Sequence, residues 1–168
     1  PGSEVADEGV LFESCNFNCS GVGSYTVDAY AVGKVELVGC ECKGSHTTSS
    51  LRVRQCSLFH VRGGSHTQIQ MEYSTGADRP ADTTSSYELS GLSRVGDVLV
   101  TLLEEGSFRM VSCPHAGEVT LRGDRNHEIR GCSLGSLSLN DTSSVSLRFS
   151  SYGSALGTGT LDVETWSG

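Results

Sequence analysis

The feature that most constrains this chain is an alternation of apolar and polar side chains, repeated in short segments from end to end. Successive side chains of a β-strand point to opposite faces, so this period is typical of strands with one buried face. Gly, Ser, Asp or Pro bounds most of the segments, as expected where strands end in turns. The clearest predicted strands are Ser24–Val32, Lys34–Cys42, Ser50–Val61, His66–Tyr73, Ser107–Cys113, Glu118–Arg122, Ser144–Ser150 and Thr158–Trp166.

Other segments depart from simple alternation. Phase shifts in Gln55–Phe59 and in Leu134–Leu137 indicate β-bulges, where one extra residue re-aims the side chains that follow. Asp97–Glu105 is apolar on both faces, which favours a covered strand and leaves a short helix as the alternative. Ser74–Ser86 predicts a mobile surface loop, and Tyr87–Val95 a single helical turn.

About ten short strands in 168 residues predict one all-β domain. We expect a two-sheet antiparallel β-sandwich stabilised by disulfides. Pro1-Gly2-Ser3 is interpreted as the remnant of a cleaved tag, and residues 4–168 as the domain.

A small parallel β-helix is the alternative fold. An alternating apolar pair followed by a cysteine recurs at Cys40, Cys56, Cys113 and Cys132. The spacings of 16 (56 − 40), 57 (113 − 56) and 19 (132 − 113) are too uneven for a solenoid with equal turns. They count against the β-helix without excluding it.

The cysteines predict disulfides and an oxidising, extracellular compartment. Asn18 and Asn140 begin glycosylation sequons and favour the same compartment. Members of the close pairs Cys15/Cys19 and Cys40/Cys42 are expected to have different partners, because residues two apart on a strand do not converge. The connectivity and the unpaired member stay open. The seven disulfide candidates are Cys15, Cys19, Cys40, Cys42, Cys56, Cys113 and Cys132.

Zinc is the weaker interpretation of the same residues. Cys40 and Cys42 with His46, or Cys113 with His115, could supply ligands. Their spacing does not form the paired knuckles of structural zinc sites, so we predict no metal.

Charge restricts the partners. Twenty acidic residues against 12 basic ones give a net charge of −8, which argues against nucleic acid and favours a basic ligand. No apolar run is long enough to span a membrane. The histidines and serines fit no specific catalytic frame, so we predict a binding protein without a cofactor.

Acidic side chains on outward strand faces are the candidate ligand contacts. Carboxylates can steer a basic partner and an aromatic ring can anchor it. Asp162 and Glu164 lie opposite Leu161 and Val163, on the side that Trp166 shares. The full candidate set is Glu72, Glu104, Glu105, Glu118, Asp162, Glu164 and Trp166.

Leu11–Gly21 (LFESCNFNCSG), the strand that follows, and Val35–Cys42 (VELVGCEC) resemble poxviral immune-evasion β-sandwiches. That group includes the secreted CC-chemokine inhibitor and the SECRET domain of viral decoy receptors. The segment HEIRGCSLGSLSLNDTSSVSLRF is similar to them in layout. The long acidic loop of the secreted inhibitor has no counterpart here, because Ser74–Ser86 holds only Asp78 and Asp82.

The resemblance implies a secreted viral decoy that binds host chemokines and blocks receptor engagement. It would be a monomer or part of a larger secreted receptor. Two alternatives stay open: a binder of another cytokine or cell-surface receptor, and a carbohydrate-active β-protein, the latter on a small β-helix.

Overall fold

The computed structural model describes residues 9–18, 27–30, 33–43, 50–73, 85–102, 106–123, 126–141 and 144–164. These residues form β-strands and the turns between them. In chain order the strands are β1 (Gly9–Glu13), β2 (Asn16–Asn18), β3 (Val27–Tyr30), β4 (Lys34–Val38), β5 (Glu41–Lys43), β6 (Ser50–Arg54), β7 (Leu58–Arg62), β8 (Ser65–Tyr73), β9 (Ser85–Ser90), β10 (Arg94–Leu102), β11 (Gly106–Val111), β12 (Ala116–Arg122), β13 (Asn126–Arg130), β14 (Ser133–Asn140), β15 (Ser144–Arg148), β16 (Ser151–Tyr152), β17 (Ala155–Gly157) and β18 (Thr160–Glu164).

The strands stack as a parallel β-solenoid, so the predicted antiparallel sandwich is wrong. Each strand pairs in parallel with its equivalents in neighbouring turns. The error has a physical cause: alternation reports that one face of a strand is buried, but it does not report the direction of the neighbouring strand. The small β-helix, kept as an alternative, matches the observed architecture.

Two sheets face each other across the core. The front sheet has the order β1-β4-β7-β9-β11-β13-β15-β18. The back sheet follows the path β16-β14-β12-β10-β8-β5-β2, with β17 paired to β14 and with β3 joined to β8 through β6. The chain alternates between the sheets, and each full turn adds one layer to both.

Equivalent side chains from successive turns stack in columns inside the solenoid. One front-sheet column contains Phe59, Tyr87, Phe108 and His127 in register. The Phe59 and Tyr87 rings meet edge to face with centroids 6.2 Å apart, a favourable aromatic geometry. The Tyr87 hydroxyl donates a hydrogen bond to the Cys56 carbonyl at 3.0 Å, which satisfies the one polar group of that ring.

A left-handed residue forms the corner where each of the first seven front-sheet strands, β1 to β15, ends. The corner residues are Ser14, Gly39, Gly63, Gly91, Ser112, Gly131 and Phe149, with φ between 50° and 67°. The backbone N–H of each one donates to a carbonyl of the next turn, for example Gly39 to Arg62 at 2.7 Å. A hydrogen-bonded ladder therefore runs along this edge, and the residue after each corner turns into the core.

Turn length varies along the chain and is shortest at its C-terminal end, which contributes to the uneven cysteine spacing. Gly9 pairs with Lys34, a repeat of 25 residues (34 − 9), whereas Val145 pairs with Leu161, a repeat of 16 (161 − 145). Cys15, Cys40, Cys113 and Cys132 follow corner residues of the front sheet, but Cys56 follows Gln55 at the opposite corner. The sequence echo combined two different corners and missed the turns in which Gly64 and Leu92 take the cysteine position.

Several local predictions are resolved by the strand bounds. The phase shift across Gly135-Ser136 lies within β14 but is not a bulge, because Ala116 and Glu118 pair one to one with Leu134 and Ser136 and no extra residue is inserted. The bulge predicted in Gln55–Phe59 is also wrong, because Gln55, with φ 57°, begins the corner between β6 and β7. Asp97–Leu102 lies in strand β10. The helical turn predicted over Tyr87–Val95 is wrong, because β9 and the start of β10 occupy it. Residues 74–84 and 103–105 lie outside the described residues.

Candidate functional site

A column of glycines crosses the outer surface of the back sheet. Gly96, Gly117, Gly135 and Gly153 take equivalent places in successive turns, and the first three each follow a buried residue. A Cβ on Gly96 or Gly117 would collide with the carbonyl oxygen of the preceding turn, that of Thr67 or Gly96. Glycine is required here because the neighbouring backbones approach one another more closely than a side chain allows.

A shallow groove of about 590 Å³ follows this glycine column. We call it the glycine groove. It is open to solvent along the surface. Its lining residues come from three consecutive turns: Arg94, Val95, Gly96, Asp97, His115, Ala116, Gly117, Ser133, Leu134 and Gly135.

One side of the glycine groove carries hydrogen-bond donors. Arg94, His115 and Ser133 occupy the same position in three neighbouring turns, and all three are exposed. The backbone fixes this row, since Val95 N donates to the His115 carbonyl at 2.9 Å and Ser133 N to the Cys113 carbonyl at 3.2 Å. The guanidinium, imidazole and hydroxyl are thus presented at the spacing of adjacent strands, about 4.8 Å.

The other side carries oxygen acceptors. Asp97, Glu118 and Ser136 follow the glycines in register, again one per turn. Asp97 Oδ1 accepts a hydrogen bond from the Glu118 backbone N–H at 3.3 Å, which fixes its carboxylate against the neighbouring strand. Thr120 Oγ1 donates to Glu118 Oε1 at 3.3 Å and orients that carboxylate in turn.

The arrangement suits recognition of an uncharged, hydroxyl-rich ligand. Donors on one side and acceptors on the other can bind hydroxyl groups, each of which both donates and accepts. Within the described ranges, no three His, Cys, Asp or Glu side chains come together in a way that could hold a metal ion.

The predicted ligand-contact residues do not form one surface. Glu118 and Glu72 lie on the back sheet, where Glu72 pairs with Arg52 at 3.6 Å. Asp162 and Glu164 lie on the opposite, front sheet, and Glu164 pairs with Arg148 at 3.4 Å. Glu104, Glu105 and Trp166 lie outside the described residues. Glu118 alone adjoins the glycine groove.

No disulfide joins any two of the six cysteines in the described part of the chain. Cys40, Cys113 and Cys132 are buried in the core, and Cys19 lies outside the described residues. Asn140 is half-buried at the end of β14, and Asn18 ends β2.

Arg94, Asp97 and Ser133 are not among the residues predicted from the sequence, although a signal for them exists. The triplets Val95-Gly96-Asp97, Ala116-Gly117-Glu118 and Leu134-Gly135-Ser136 share the order apolar, glycine, polar. Their separations of 21 (117 − 96) and 18 (135 − 117) equal the local turn lengths. Recognising that repeat requires allowing the turn length to change.

No family model, curated protein or solved structure matches this chain. In the part of the chain that is described, no helix is long and apolar enough to cross a membrane. The class of protein that the structure defines is therefore a parallel β-solenoid with a polar groove on one sheet.

Proposed function

We propose that the protein binds an extended carbohydrate chain in the glycine groove. The observation that carries this proposal is the repetition of donor, glycine and acceptor in three successive turns. A linear polysaccharide also repeats its hydroxyl groups at regular intervals along an extended chain. A repeating surface can therefore make equivalent hydrogen bonds to successive sugar units.

The shape of the glycine groove supports a polymer rather than a compact ligand. Sites for small molecules are concave and mostly apolar, and they enclose most of the ligand. This groove is open, and its polar rows continue from one turn to the next. The exposed donors in the row that contains Arg94 and His115 need no backbone movement to reach a ligand.

A glycan array followed by calorimetry with the best ligand tests the proposal. Asp97→Asn removes an acceptor charge and His115→Ala removes a ring donor, and neither residue belongs to the core. Each substitution is expected to weaken binding by about tenfold or more, roughly 1.4 kcal/mol, the size of a hydrogen bond to a charged or polar group.

Arg109→Ala is the matched control, because Arg109 is exposed on the front sheet and pairs with Glu128 there at 3.1 Å. Its affinity should equal that of the wild type. Failure of every glycan to bind, or equal affinity of the wild type and the Asp97/His115 double variant, would exclude the glycine groove as a carbohydrate site.

Chemokine binding stays a prediction that depends on the −8 charge and on the resemblance. Surface plasmon resonance against a panel of chemokines at two salt concentrations separates it from the carbohydrate proposal. Binding that weakens with salt would support a basic protein ligand steered by carboxylates. Absence of binding to the whole panel would end that hypothesis.

A further inference from the structure

Two cysteines face each other across neighbouring turns at the corner after the front sheet. Cys113 and Cys132 follow β11 and β13, whose last paired residues are Val111 and Arg130. Hydrogen bonds hold both sides of the corner, since Ser112 N donates to the Arg130 carbonyl at 2.9 Å and Ser133 N to the Cys113 carbonyl at 3.2 Å. Adjacent strands lie about 4.8 Å apart, within the range of Cα separations that a disulfide spans.

The two thiols interact but differ in character. Cys132 Sγ donates a hydrogen bond to the Arg130 carbonyl at 3.3 Å, and Cys113 Sγ donates one to the Val111 carbonyl at 3.5 Å. The interaction with Cys113 lowers the pKa of Cys132, whereas the same interaction and burial raise the pKa of Cys113. Cys132 is therefore the better nucleophile, because a thiolate attacks and a thiol does not.

A path from solvent leads to one of the two sulfurs. Cys132 lines a surface hollow of about 480 Å³ together with Pro114, Phe149 and Ser150. Cys132 is 4% exposed and Cys113 is 0% exposed. A small reagent can therefore reach Cys132, whereas Cys113 is shielded from solvent.

We propose that Cys113 and Cys132 form an oxidisable dithiol that closes into a disulfide between neighbouring turns. The oxidant is a low-molecular-weight disulfide such as oxidised glutathione. The Cys132 thiolate attacks one sulfur of the oxidant, and the first glutathione thiolate leaves. Cys113 then loses its proton and attacks Cys132 Sγ, releasing the second glutathione. Two protein thiols are oxidised and one glutathione disulfide is reduced to two thiols.

Cys15 and Cys40 provide an internal comparison. They occupy the same corner position in the first two turns and make the same thiol-to-carbonyl hydrogen bonds, since Cys40 Sγ donates to the Phe12 carbonyl at 3.4 Å as Cys132 Sγ does to the Met110 carbonyl at 3.6 Å. Cys15 is half-buried and Cys40 is buried. Cys15 and Cys40 can therefore react as a second pair at this corner, which leaves the expected link between Cys113 and Cys132 unchanged.

Peptide mapping after treatment of the folded, reduced protein with oxidised glutathione tests the pairing. Trypsin cleaves after Arg109, Arg122, Arg130 and Arg148, so that residues 110–122 hold Cys113 and residues 131–148 hold Cys132. The expected product is these two peptides joined, about 2 Da lighter than their sum because two hydrogens are lost. Their recovery only as separate reduced or singly glutathionylated peptides would overturn the proposal.

Single variants test the order of attack. Cys113→Ser should stop at a mixed disulfide on Cys132, and Cys132→Ser should leave Cys113 reduced. Cys15→Ser, the control, should give the same joined peptides as the wild type. If Cys132→Ser consumes glutathione disulfide as fast as the wild type, the attacking residue is not Cys132. The map of the unmutated protein decides the pairing even where a variant is unstable.

Discussion

Two histidines, His66 and His127, are buried in the core without hydrogen-bond partners among the described residues. Both ring nitrogens of each one are shielded from solvent. Burial lowers the pKa of His66 from 6.5 to about 4, against an opposing effect of Glu41, and burial lowers the pKa of His127 to about 4 as well. The Phe108 ring meets His127 edge to face at 6.1 Å. Each histidine thus occupies a core position as a neutral ring.

Acid should therefore destabilise the protein through these two residues. Their folded pKa lies below the unfolded value of about 6.5, so the neutral forms stabilise the fold fully above that pH. As the pH falls from 6.5 to 4, the free energy of unfolding should drop by up to about 3 kcal/mol for each histidine. Urea titrations at several pH values measure this slope.

The double variant His66→Leu/His127→Leu should have a flatter pH dependence over the same interval. His115→Gln is the control, because His115 is exposed on the back sheet and its replacement should leave the slope unchanged. Equal slopes for the wild type and the double variant would show that other groups cause the acid sensitivity.

At the scale of single elements, the front-sheet corner requires a left-handed residue in every turn. Glycine fills four of the seven positions, whereas Ser14, Ser112 and Phe149 adopt φ values of 50° to 54° despite their side chains. A left-handed conformation costs an L-residue roughly 1–2 kcal/mol. The corner ladder of hydrogen bonds holds these residues in place.

Reciprocal substitutions at the corner isolate this cost. Gly91 has φ +62° and open space where a Cβ would lie, so Gly91→Ala should lower the free energy of unfolding by about 1–2 kcal/mol through backbone strain alone. Ser112→Gly should raise it by up to about 1 kcal/mol, because relief of strain exceeds the added entropy of the unfolded chain. Thermal denaturation of both variants measures the two signs. Opposite signs from those expected would refute the strain explanation.

In the back-sheet column, glycine is required because a side chain would not fit, and not because of a positive φ. Gly96→Ala places a Cβ against the Thr67 carbonyl, which is backbone and cannot rotate away. We expect a loss of about 3 kcal/mol or more, larger than that of Gly91→Ala. Comparing the denaturation midpoints of these two variants checks the order. A milder effect at Gly96 than at Gly91 would contradict the close approach of the neighbouring backbones.

The sequence predicts elements of this fold better than it predicts their pairing. The alternation correctly predicted Tyr73 as the C-terminal residue of β8, because a half-buried strand alternates whatever the direction of its neighbours. It could not identify strand direction, and unequal turn lengths hid the repeat. The glycine groove was missed for the same reason, since Asp97 and Glu118 become neighbours only once turns of different length are aligned.

At the scale of the whole molecule, stability should be graded along the stack. β10 pairs with β8 and β12 on its two sides, whereas the front-sheet order ends with β1 and β18. Solenoid stability is approximately a sum of turns and their interfaces, so the ends should open before the centre.

Hydrogen exchange followed by mass spectrometry measures that gradient. Amides of β10 and β12 should be the most protected, and those of β1 and β18 the least, because β1 and β18 each pair with a single strand among the described residues. Uniform protection along the stack would mean that the molecule unfolds as one cooperative unit instead.

The corner ladder also bears on how the chain is made. Each corner N–H finds its acceptor in the very next turn, between 15 and 27 residues later along the chain, from Phe149 to Glu164 and from Gly63 to Ser90. A ribosome supplies residues in that same order, so a turn can acquire its partner as soon as the following one has emerged. Assembly can therefore advance with synthesis, from the first layer toward the last, without waiting for the distant terminus.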